Sequence, residues 1–336
     1  MSPVRSAQIN GHPAVILEND LVRVAVLPEK GADICEITYL PAGVDCLMKT
    51  PAGLKPPTGQ PQGHFLDNYE GGWQELFPNA NDACEYRGRP IPFHGEAALR
   101  PWTARVLDDG PAPRVEFSAD MRILPFRLRK VLSLSPAEPL LEVAYVVENA
   151  GADPYHYNWG EHIVVGAPFL ESGCRLEMPG GVIETLPDIF EDATAILAPG
   201  QRSPWPHAQT RAGGRVDLRH VPGAEAHTHD DCFVGELPAG RLSVINARRD
   251  LAVELAWEKD YYRYLAVWMP YGGSDAPPLT GIYGLGIEPY VSRYPLAEAV
   301  EKGEARLLAA GQREGTTLRF RFGPATRAGS GREGAR

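Results

Sequence analysis

The amino-acid sequence predicts an all-β fold, a large antiparallel β-sandwich with few short helices. Segments in which apolar and polar residues alternate recur along most of the chain, as expected of strands that bury one face. Glycine (35 residues) and proline (32 residues) are frequent and supply turns between these segments. Helical patterns do not alternate with the strands, which argues against a doubly wound α/β fold. Antiparallel sheets packed face to face satisfy this pattern.

The alternating segments are spread over the whole chain. They comprise residues 21–29, 114–121, 126–135, 140–151, 241–250, 251–258 and 316–323. Only residues 295–311 show a helical pattern, and Gly303 interrupts it. Three stretches without periodicity, residues 49–96, 179–207 and 271–282, are long for loops of a compact domain. We expect these stretches to line a mouth over one face of a sheet.

The domain organisation follows from the lack of any internal boundary. No repeat and no shift in composition divides the chain, so residues 1–323 are predicted to form a single β-sandwich domain. Residues 324–336 are rich in Gly and Arg and lack apolar anchors, which predicts a disordered tail.

Charge and composition limit the classes of partner. The formal net charge of −10 argues against nucleic acid and anionic membranes as partners. The five cysteines lack the close spacing of a zinc or redox motif, which predicts reduced thiols. The first residues contain no apolar signal core, and no apolar run approaches the ~20 residues that span a bilayer. We therefore expect a cytoplasmic protein.

The stretch NWGEHIVVGAPFL contains the first candidate for chemistry, His162. If this stretch is a strand, Gly160 and His162 share one face, and Glu161 points to the other. The glycine leaves open space beside the imidazole. A hydrogen-bonded core histidine is an equally good interpretation of His162 taken alone.

A second candidate, Glu288, lies in GLGIEPY. Alternation places Gly286, Glu288 and Tyr290 on one face of a strand, as in a sugar pocket. Pro289 cannot donate to a ladder, so the strand is expected at a sheet edge or ending there. A solvated glutamate on an edge strand is the alternative, and for this residue alone it is favoured.

Two further polar motifs are PFHGEAAL, which contains His94, and HTHDDCFVGEL, which contains Asp230 and Asp231. The histidines and aspartates of the second motif crowd into one segment without the spacing of metal ligands. A solvated polar loop is the preferred interpretation, and no metal is predicted. The chain also lacks a phosphate loop and a dinucleotide fingerprint, so no cofactor is predicted.

The order of four motifs resembles the aldose 1-epimerase (galactose mutarotase) superfamily, in its broad bacterial branch. The motifs are PIPFHGEAALRPW, YVVENAGADPYHYNWGEHIVVGAPFL, HDDCFVGEL and GLGIEPY, and the resemblance covers roughly residues 15–323. It implies a galactose mutarotase-like supersandwich. It also implies an isomerase of carbohydrate metabolism that interconverts the α and β anomers of an aldose by ring opening and closure, with a small sugar as its partner.

The resemblance also implies roles for individual residues. Glu288 would be the general base and His162 the general acid. His94 would hydrogen-bond near the ring oxygen. Asp230 would bind sugar hydroxyls, with Asp231 as the alternative if the register differs by one residue. No metal, nucleotide or redox group takes part in this chemistry.

The motif GGWQELFPNAND departs from the family pattern. Relatives often have an arginine after Pro-Asn that contacts the sugar, and this chain has Ala80. Trp73, Gln74, Glu75 and Asn79 are the substrate-binding candidates from this motif. The departure leaves the preferred sugar open.

Alternatives to an aldose 1-epimerase remain open from the sequence. The same fold also suits a sugar-phosphate epimerase, a lyase, a glycosidase or a non-catalytic sugar-binding protein. A phosphate would require a cationic cluster, for which Arg87, Arg89 and Arg100 are candidates. The sequence leaves open whether the protein is a monomer or a homodimer.

Overall fold

The computed structural model describes residues 2–57 and 64–328, and strands dominate it. The strands are β1 (Val4–Ile9), β2 (His12–Glu18), β3 (Val22–Leu27), β4 (Asp33–Tyr39), β5 (Val44–Asp45), β6 (Trp73–Leu76), β7 (Cys84–Tyr86), β8 (Arg89–Ile91), β9 (Thr103–Asp108), β10 (Arg114–Asp120), β11 (Phe126–Leu134), β12 (Leu140–Asn149), β13 (Tyr155–Tyr157), β14 (Gly160–Gly166), β15 (Arg175–Glu177), β16 (Val182–Thr185), β17 (Arg202–Pro204), β18 (His207–Gln209), β19 (Arg215–Asp217), β20 (Thr228–Gly235), β21 (Arg241–Asn246), β22 (Leu251–Trp257), β23 (Tyr264–Tyr271), β24 (Gly284–Tyr290), β25 (Arg306–Leu308) and β26 (Arg313–Gly323). The helices are α1 (Leu296–Glu301) and α2 (Ala325–Ala328), with 3-10 turns at Phe65–Asn68, Ala97–Leu99 and Ala224–Ala226.

Two large antiparallel sheets form the body of the described chain. The first has twelve strands in the order β1-β2-β3-β4-β6-β14-β24-β23-β20-β16-β17, with β5 paired to β4. The second has eight strands in the order β15-β21-β22-β26-β12-β11-β10-β9. Small ribbons pair β7 with β8, β13 with β25 and β18 with β19. The predicted all-β class and antiparallel sandwich are confirmed.

The period-two segments of the sequence become strands because one face of each packs into the space between the sheets. Burial alternates along all ten residues of β12, with Leu141, Val143 and Val147 fully buried. One apolar cluster continues from Val4 to Phe322 and draws on both large sheets. This burial is the main stabilising term, at about 25 cal/mol per Å² of apolar surface.

The helical pattern predicted over residues 295–311 is only partly realised. The helix α1 ends at Glu301, and the chain then turns through Gly303, whose φ is +69°. A residue with a Cβ adopts this left-handed conformation only at a cost, so glycine stops the helix here. The remainder of the predicted helix contains β25, which pairs with β13. The apolar residues of that segment therefore complete a ribbon.

Charged side chains also lie between the two sheets. Lys130 of β11 is fully buried and forms an ion pair with Glu75 of β6. Glu161 of β14 accepts hydrogen bonds from Trp73 Nε1 (2.7 Å) and Tyr262 Oη (2.8 Å), and Tyr145 Oη lies 2.9 Å away. These contacts hold β6 and β14 against the second sheet, and the opposite face of the same strands faces a cavity.

The end of the described chain forms a short helical turn, α2. The backbone N–H of Ala325 donates to Asp250 Oδ1 at 3.1 Å, which attaches the turn to the loop between β21 and β22. The turn falls within residues 324–336, and residues 329–336 lie outside the described residues, so the disordered tail stays a prediction. Among the helices of the described chain, none has the length and apolar character needed to cross a membrane.

Candidate active site

The floor of the candidate site is formed by four neighbouring strands of the larger sheet, β14, β24, β23 and β20. Gly160 of β14 lies opposite Tyr290 of β24, and Val164 lies opposite Gly286. This register places His162 directly across from Glu288. Both side chains point away from the core between the sheets, as the alternation of the sequence predicts. Glu161 points into that core, also as predicted.

A cavity of about 310 Å³ lies above this floor. Its polar lining consists of Asn81, Asp82, His94, His162, Asp188, His229, Asp231 and Glu288, and its aromatic lining of Phe65, Tyr69, Phe93, Phe190, Phe233, Trp268 and Tyr290. The three long stretches without periodicity all contribute, through Phe65, Phe190 and Leu279 among others. A concave, mostly apolar site with a few convergent polar groups is typical of small-molecule binding.

His162 and Glu288 are the central polar pair of the cavity. His162 Nε2 lies 3.8 Å from Glu288 Oε1, which is beyond hydrogen-bond distance. Glu288 Oε2 accepts from Tyr290 Oη at 3.2 Å. Glu288 Oε1 and His162 Nδ1 have no hydrogen-bond partner among the described residues. The carboxyl oxygen that faces His162 is therefore available to a ligand.

Burial moves the proton affinities of this pair in opposite directions. It lowers the pKa of His162 to about 3, because the charged imidazolium loses hydration. It raises the pKa of Glu288 well above its usual range, with the negative charge of Asp231 adding to the effect and the Tyr290 hydrogen bond opposing it. Burial therefore favours a neutral imidazole at His162 together with a protonated carboxyl group at Glu288.

His94 enters the cavity from a strained turn. Its φ is +61°, which is uncommon for a residue with a side chain. Its Nδ1 lies 2.8 Å from the carbonyl oxygen of Ala80, which only accepts, so Nδ1 carries the proton and Nε2 is an acceptor. Burial and the neighbouring His162 lower the pKa of His94 well below its usual range. His94 is therefore neutral, with its ring centroid 5.7 Å from that of His162.

Comparison with known proteins gives the chain a family. A family model described as a domain of unknown function, DUF4432, matches residues 10–322. The chain belongs to the DUF4432 family. A search among curated protein sequences gave no match for this DUF4432 protein.

Solved structures share the fold of this DUF4432 protein. The Slr1438 protein from Synechocystis sp. PCC 6803 is 17% identical with a TM-score of 0.65, over 96% of this chain and 98% of that one. A galactose mutarotase-like protein from Lactobacillus casei is 14% identical with a TM-score of 0.63, over 92% and 100%. A galactose mutarotase related enzyme from Lactobacillus acidophilus is 15% identical with a TM-score of 0.65, over 93% and 98%. The predicted galactose mutarotase-like sandwich is confirmed as the fold.

The aspartate that faces the cavity in this DUF4432 protein is Asp231. On β20, Asp231 lies opposite Trp268, and both line the cavity. Asp230 points to the opposite face, where its carboxylate accepts from the backbone N–H of Ile196 (3.0 Å) and of Leu197 (2.8 Å). Of the two aspartates, Asp231 lines the cavity and Asp230 does not, so the position expected for Asp230 is taken by Asp231, the alternative that a register shift of one residue allowed. Burial and the neighbouring charge of Asp230 raise the pKa of Asp231 to about 6.

Two other predicted binding residues, Trp73 and Glu75, lie on the wrong face of β6. Both point between the sheets, where Trp73 donates to Glu161 and Glu75 pairs with Lys130. Period-two alternation places these two residues on the same face of the strand, and that face packs into the core between the sheets. Trp73 and Glu75 therefore have structural contacts and lie outside the cavity lining.

The side chains of Gln74 and Asn79 form hydrogen bonds with backbone groups and do not line the cavity. Gln74 Nε2 donates to the carbonyl oxygen of Gly71 at 2.6 Å. Asn79 Nδ2 donates to the carbonyl oxygens of Asn81 and Asp82, and Asn79 Oδ1 accepts from the N–H of Leu296. The turn that Asn79 stabilises brings Asn81 and Asp82 to the cavity, so the motif reaches the site through its last two residues.

Trp268, His229 and Phe190 form a wall of the cavity that the motifs did not predict. Trp268 Nε1 donates to His229 Nε2 at 2.6 Å, which fixes the plane of the indole. Phe190 packs against His229, with ring centroids 5.6 Å apart, and is 59% exposed at the mouth. Alternation in YLAVWMPY does place Trp268 on the face of Ala266, but only the register of β23 with β24 locates that face in the cavity.

The histidine and aspartate side chains of residues 227–231 do not point toward a common position. His227 is exposed and lies at the end of the 3-10 turn Ala224–Ala226, with its Nδ1 2.8 Å from the carbonyl oxygen of Gly272. Asp230 faces away from His229 and Asp231. Over residues 2–57 and 64–328, no group of three or more His, Cys, Asp and Glu side chains is arranged as metal ligands.

Proposed function

We propose that this DUF4432 protein is an aldose 1-epimerase that interconverts the α and β anomers of an uncharged sugar. The observation that carries the proposal is the pair of His162 and Glu288, 3.8 Å apart in one cavity and with opposite shifts of proton affinity. Ring opening and closure needs one proton donor and one proton acceptor near a single carbon atom. The galactose mutarotase-like fold agrees with this chemistry.

The reaction balances with these two groups alone. The acceptor takes the proton of the anomeric hydroxyl while the donor gives a proton to the ring oxygen. The bond between the anomeric carbon and the ring oxygen breaks, and its electron pair stays with the protonated oxygen. The free aldehyde rotates about the bond to the next carbon and recloses by the reverse transfers, which returns both protons. A positioned donor or acceptor contributes about 10²–10⁴ in rate.

Burial supports Glu288 as the donor to the ring oxygen and neutral His162 as the acceptor of the hydroxyl proton. This is the reverse of the roles that the family resemblance implies. The reason is that the cavity disfavours charge, so the neutral pair of carboxylic acid and imidazole is favoured over the ion pair. The remaining polar groups bind: Asp231 and Asp82 accept from sugar hydroxyls, and the Trp268 face packs against the apolar side of the ring.

The charge of the cavity favours an uncharged sugar over a sugar phosphate. Among the described residues that line the cavity, none is Arg or Lys, whereas Asp82, Asp188 and Asp231 carry carboxyl groups. Of the cationic candidates, Arg89 donates to the carbonyl oxygen of Ile123, and Arg87 lies over the rings of Tyr86 and Tyr155. A phosphate dianion placed beside these carboxylates has no counter-charge.

The proposal is tested by an anomer-exchange screen in solution. Two-dimensional exchange NMR with purified protein measures the α–β interconversion rate of neutral aldoses, uronic acids and sugar phosphates. The expected result is acceleration of at least one neutral aldose and of no phosphorylated sugar. Acceleration of sugar phosphates alone would support the sugar-phosphate alternative. Sugar binding without acceleration of any anomer would support a non-catalytic sugar-binding protein.

Replacing Asp231 by Asn is expected to weaken sugar binding with a smaller effect on the rate at saturation. A lost hydrogen bond to a charged group is worth about 1.5–3 kcal/mol, or roughly a tenfold to hundredfold rise in KM. Asp230→Asn is the matched control, because Asp230 holds the N–H groups of Ile196 and Leu197 on the other face. That variant should lower the melting temperature and leave KM near the wild-type value. The reverse ranking would contradict the assignment of Asp231.

The protonation of Glu288 at neutral pH is expected to be visible directly. Infrared difference spectra of wild type minus Glu288→Gln at pH 7 should contain a protonated carboxyl band, because burial raises the pKa of Glu288 well above its usual range. The profile of kcat should fall on the acid side only near pH 3, where His162 becomes protonated and can no longer accept a proton. The profile of kcat/KM should fall already near pH 6, where Asp231 gains a proton and binds the sugar less tightly. Both profiles should fall on the basic side where Glu288 loses its proton. A carboxylate band at pH 7 would contradict the proposed direction of proton transfer.

A further inference from the structure

We infer that Tyr290 is a positioning residue for Glu288, whose phenol fixes the orientation of the carboxyl group and stabilises the carboxylate that forms when Glu288 gives up its proton. The inference rests on the proposed function for its effect on turnover, and the contact itself is independent of it. Tyr290 Oη donates to Glu288 Oε2 at 3.2 Å. The two residues share one face of β24, two positions apart.

The hydrogen bond to Tyr290 makes the two oxygens of the Glu288 carboxyl group different. Oε2 is held by Tyr290, whereas Oε1 has no partner among the described residues and lies 3.8 Å from His162 Nε2. Rotation of the carboxyl group would exchange the two oxygens and break the bond to the phenol. Tyr290 therefore keeps one oxygen turned toward the position where a reacting sugar sits next to His162.

Packing holds the Tyr290 ring in place. A Cβ added to Gly160 would lie 2.9 Å from both Ala80 Cβ and Tyr290 Cζ, so the ring occupies the space that glycine leaves open. The Phe233 ring packs edge-on against Tyr290, with centroids 5.5 Å apart. Tyr290 is only 3% exposed. Because Ala80 borders the same space, a long side chain at position 80 would compete with the Tyr290 ring. The small alanine therefore leaves room for the ring to hold Glu288.

The electrostatic surroundings give the phenol a specific effect. The titratable groups around Glu288 are His162 on β14, Asp231 on β20, Tyr69 before β6 and Tyr290 on its own strand. The same cavity is also bordered by His94, His229, Asp82 and Asp188. Asp231 disfavours a negative charge on Glu288. Among the described residues, Tyr290 alone donates a side-chain hydrogen bond to this carboxyl group. Removing the phenol oxygen leaves burial and Asp231 unopposed, so the carboxylate form becomes harder to reach.

The test is the pH profile of kcat and kcat/KM for Tyr290→Phe. The basic limb, which reports loss of the Glu288 proton, should move up by roughly one pH unit, and kcat should fall about tenfold. The matched control is Tyr264→Phe. Tyr264 lies opposite Tyr290 on β23 and donates to Glu304 Oε1 at 2.8 Å, outside the cavity lining. The control should keep the wild-type limb. A Tyr290→Phe limb at the wild-type pH would overturn the inference even if turnover fell.

A second variant tests the same hydrogen bond if Tyr290→Phe does not fold. Incorporation of 3-fluorotyrosine at position 290 keeps the ring and makes the hydroxyl a stronger donor, so the same limb should move to lower pH. The titration of the Glu288 carboxyl band by infrared spectroscopy follows the same shifts without any substrate. If the wild type shows no anomer exchange, the proposed function fails, while a shifted band still supports the Tyr290 contact and an unshifted band overturns it.

Discussion

Glu288→Gln is expected to abolish anomer exchange and to leave the fold intact. The amide keeps the shape of the carboxyl group and still accepts the hydrogen bond that Tyr290 Oη makes to Glu288 Oε2. It cannot supply or take up a proton at the pH of the assay. Loss of one positioned donor or acceptor costs about 10²–10⁴ in rate. Exchange NMR at equal protein concentrations measures the loss, and thermal unfolding checks the fold.

Glu304→Gln is the matched control for this substitution. Glu304 also accepts from a tyrosine, Tyr264, and from Ser292 Oγ at 2.8 Å, but it does not line the cavity. The control should keep the wild-type exchange rate. A Glu288→Gln variant with near-native turnover would show that Glu288 takes no part in proton transfer. A variant with a much lower melting temperature and proportional loss of activity would show a structural role.

The sequence predicted the faces of the two central strands because alternation is a local property. The pattern of GLGIEPY placed Glu288 with Gly286 and Tyr290, and the structure agrees. The expectation about Pro289 is correct in one of its two forms: β24 lies in the middle of the larger sheet, between β14 and β23, and it ends at Tyr290. Alternation fixes which side chains share a face, and it leaves open where the strand sits in the sheet.

For several residues, the position relative to the cavity depends on strand pairing and on contacts that are distant in sequence. A local sequence pattern does not contain this information. Asp230 and Asp231 are adjacent, so one of them had to face the cavity, and only the pairing of β20 with β23 decides which. Trp73 and Glu75 had the residue types of a sugar site, but the second sheet supplies partners that bury them. The cavity residues Asp188 and Phe190 lie in a loop without periodicity, whose path follows from its contacts with distant strands.

The ion pair of Lys130 and Glu75 supports the strands of the site from behind. Glu75 lies opposite Glu161 in the pairing of β6 with β14, one position away from the pair of Gln74 and His162. Lys130 also donates to the carbonyl oxygen of Ala32 at 2.7 Å. Both members of the pair are fully buried. Loss of either charge is therefore expected to destabilise the sheet that carries His162. Neither residue lines the cavity, so the cavity lining itself is unchanged.

Lys130→Met is expected to lower the free energy of unfolding by about 3–5 kcal/mol, because it leaves the charge of Glu75 buried without a counter-ion. Methionine fills most of the volume of the lysine stem, so the lost cation and not a cavity causes the effect. Denaturant unfolding measures the change, and Lys259→Met, at an exposed lysine paired with Asp260, is the matched control with an expected change near zero. Adding Glu75→Gln to Lys130→Met should recover much of the loss, since Tyr145 Oη can still donate to the amide oxygen at position 75. A double variant as unstable as Lys130→Met alone would show that the lysine acts through its packing and its bond to Ala32. In that case, the charge of Glu75 would not be the cause.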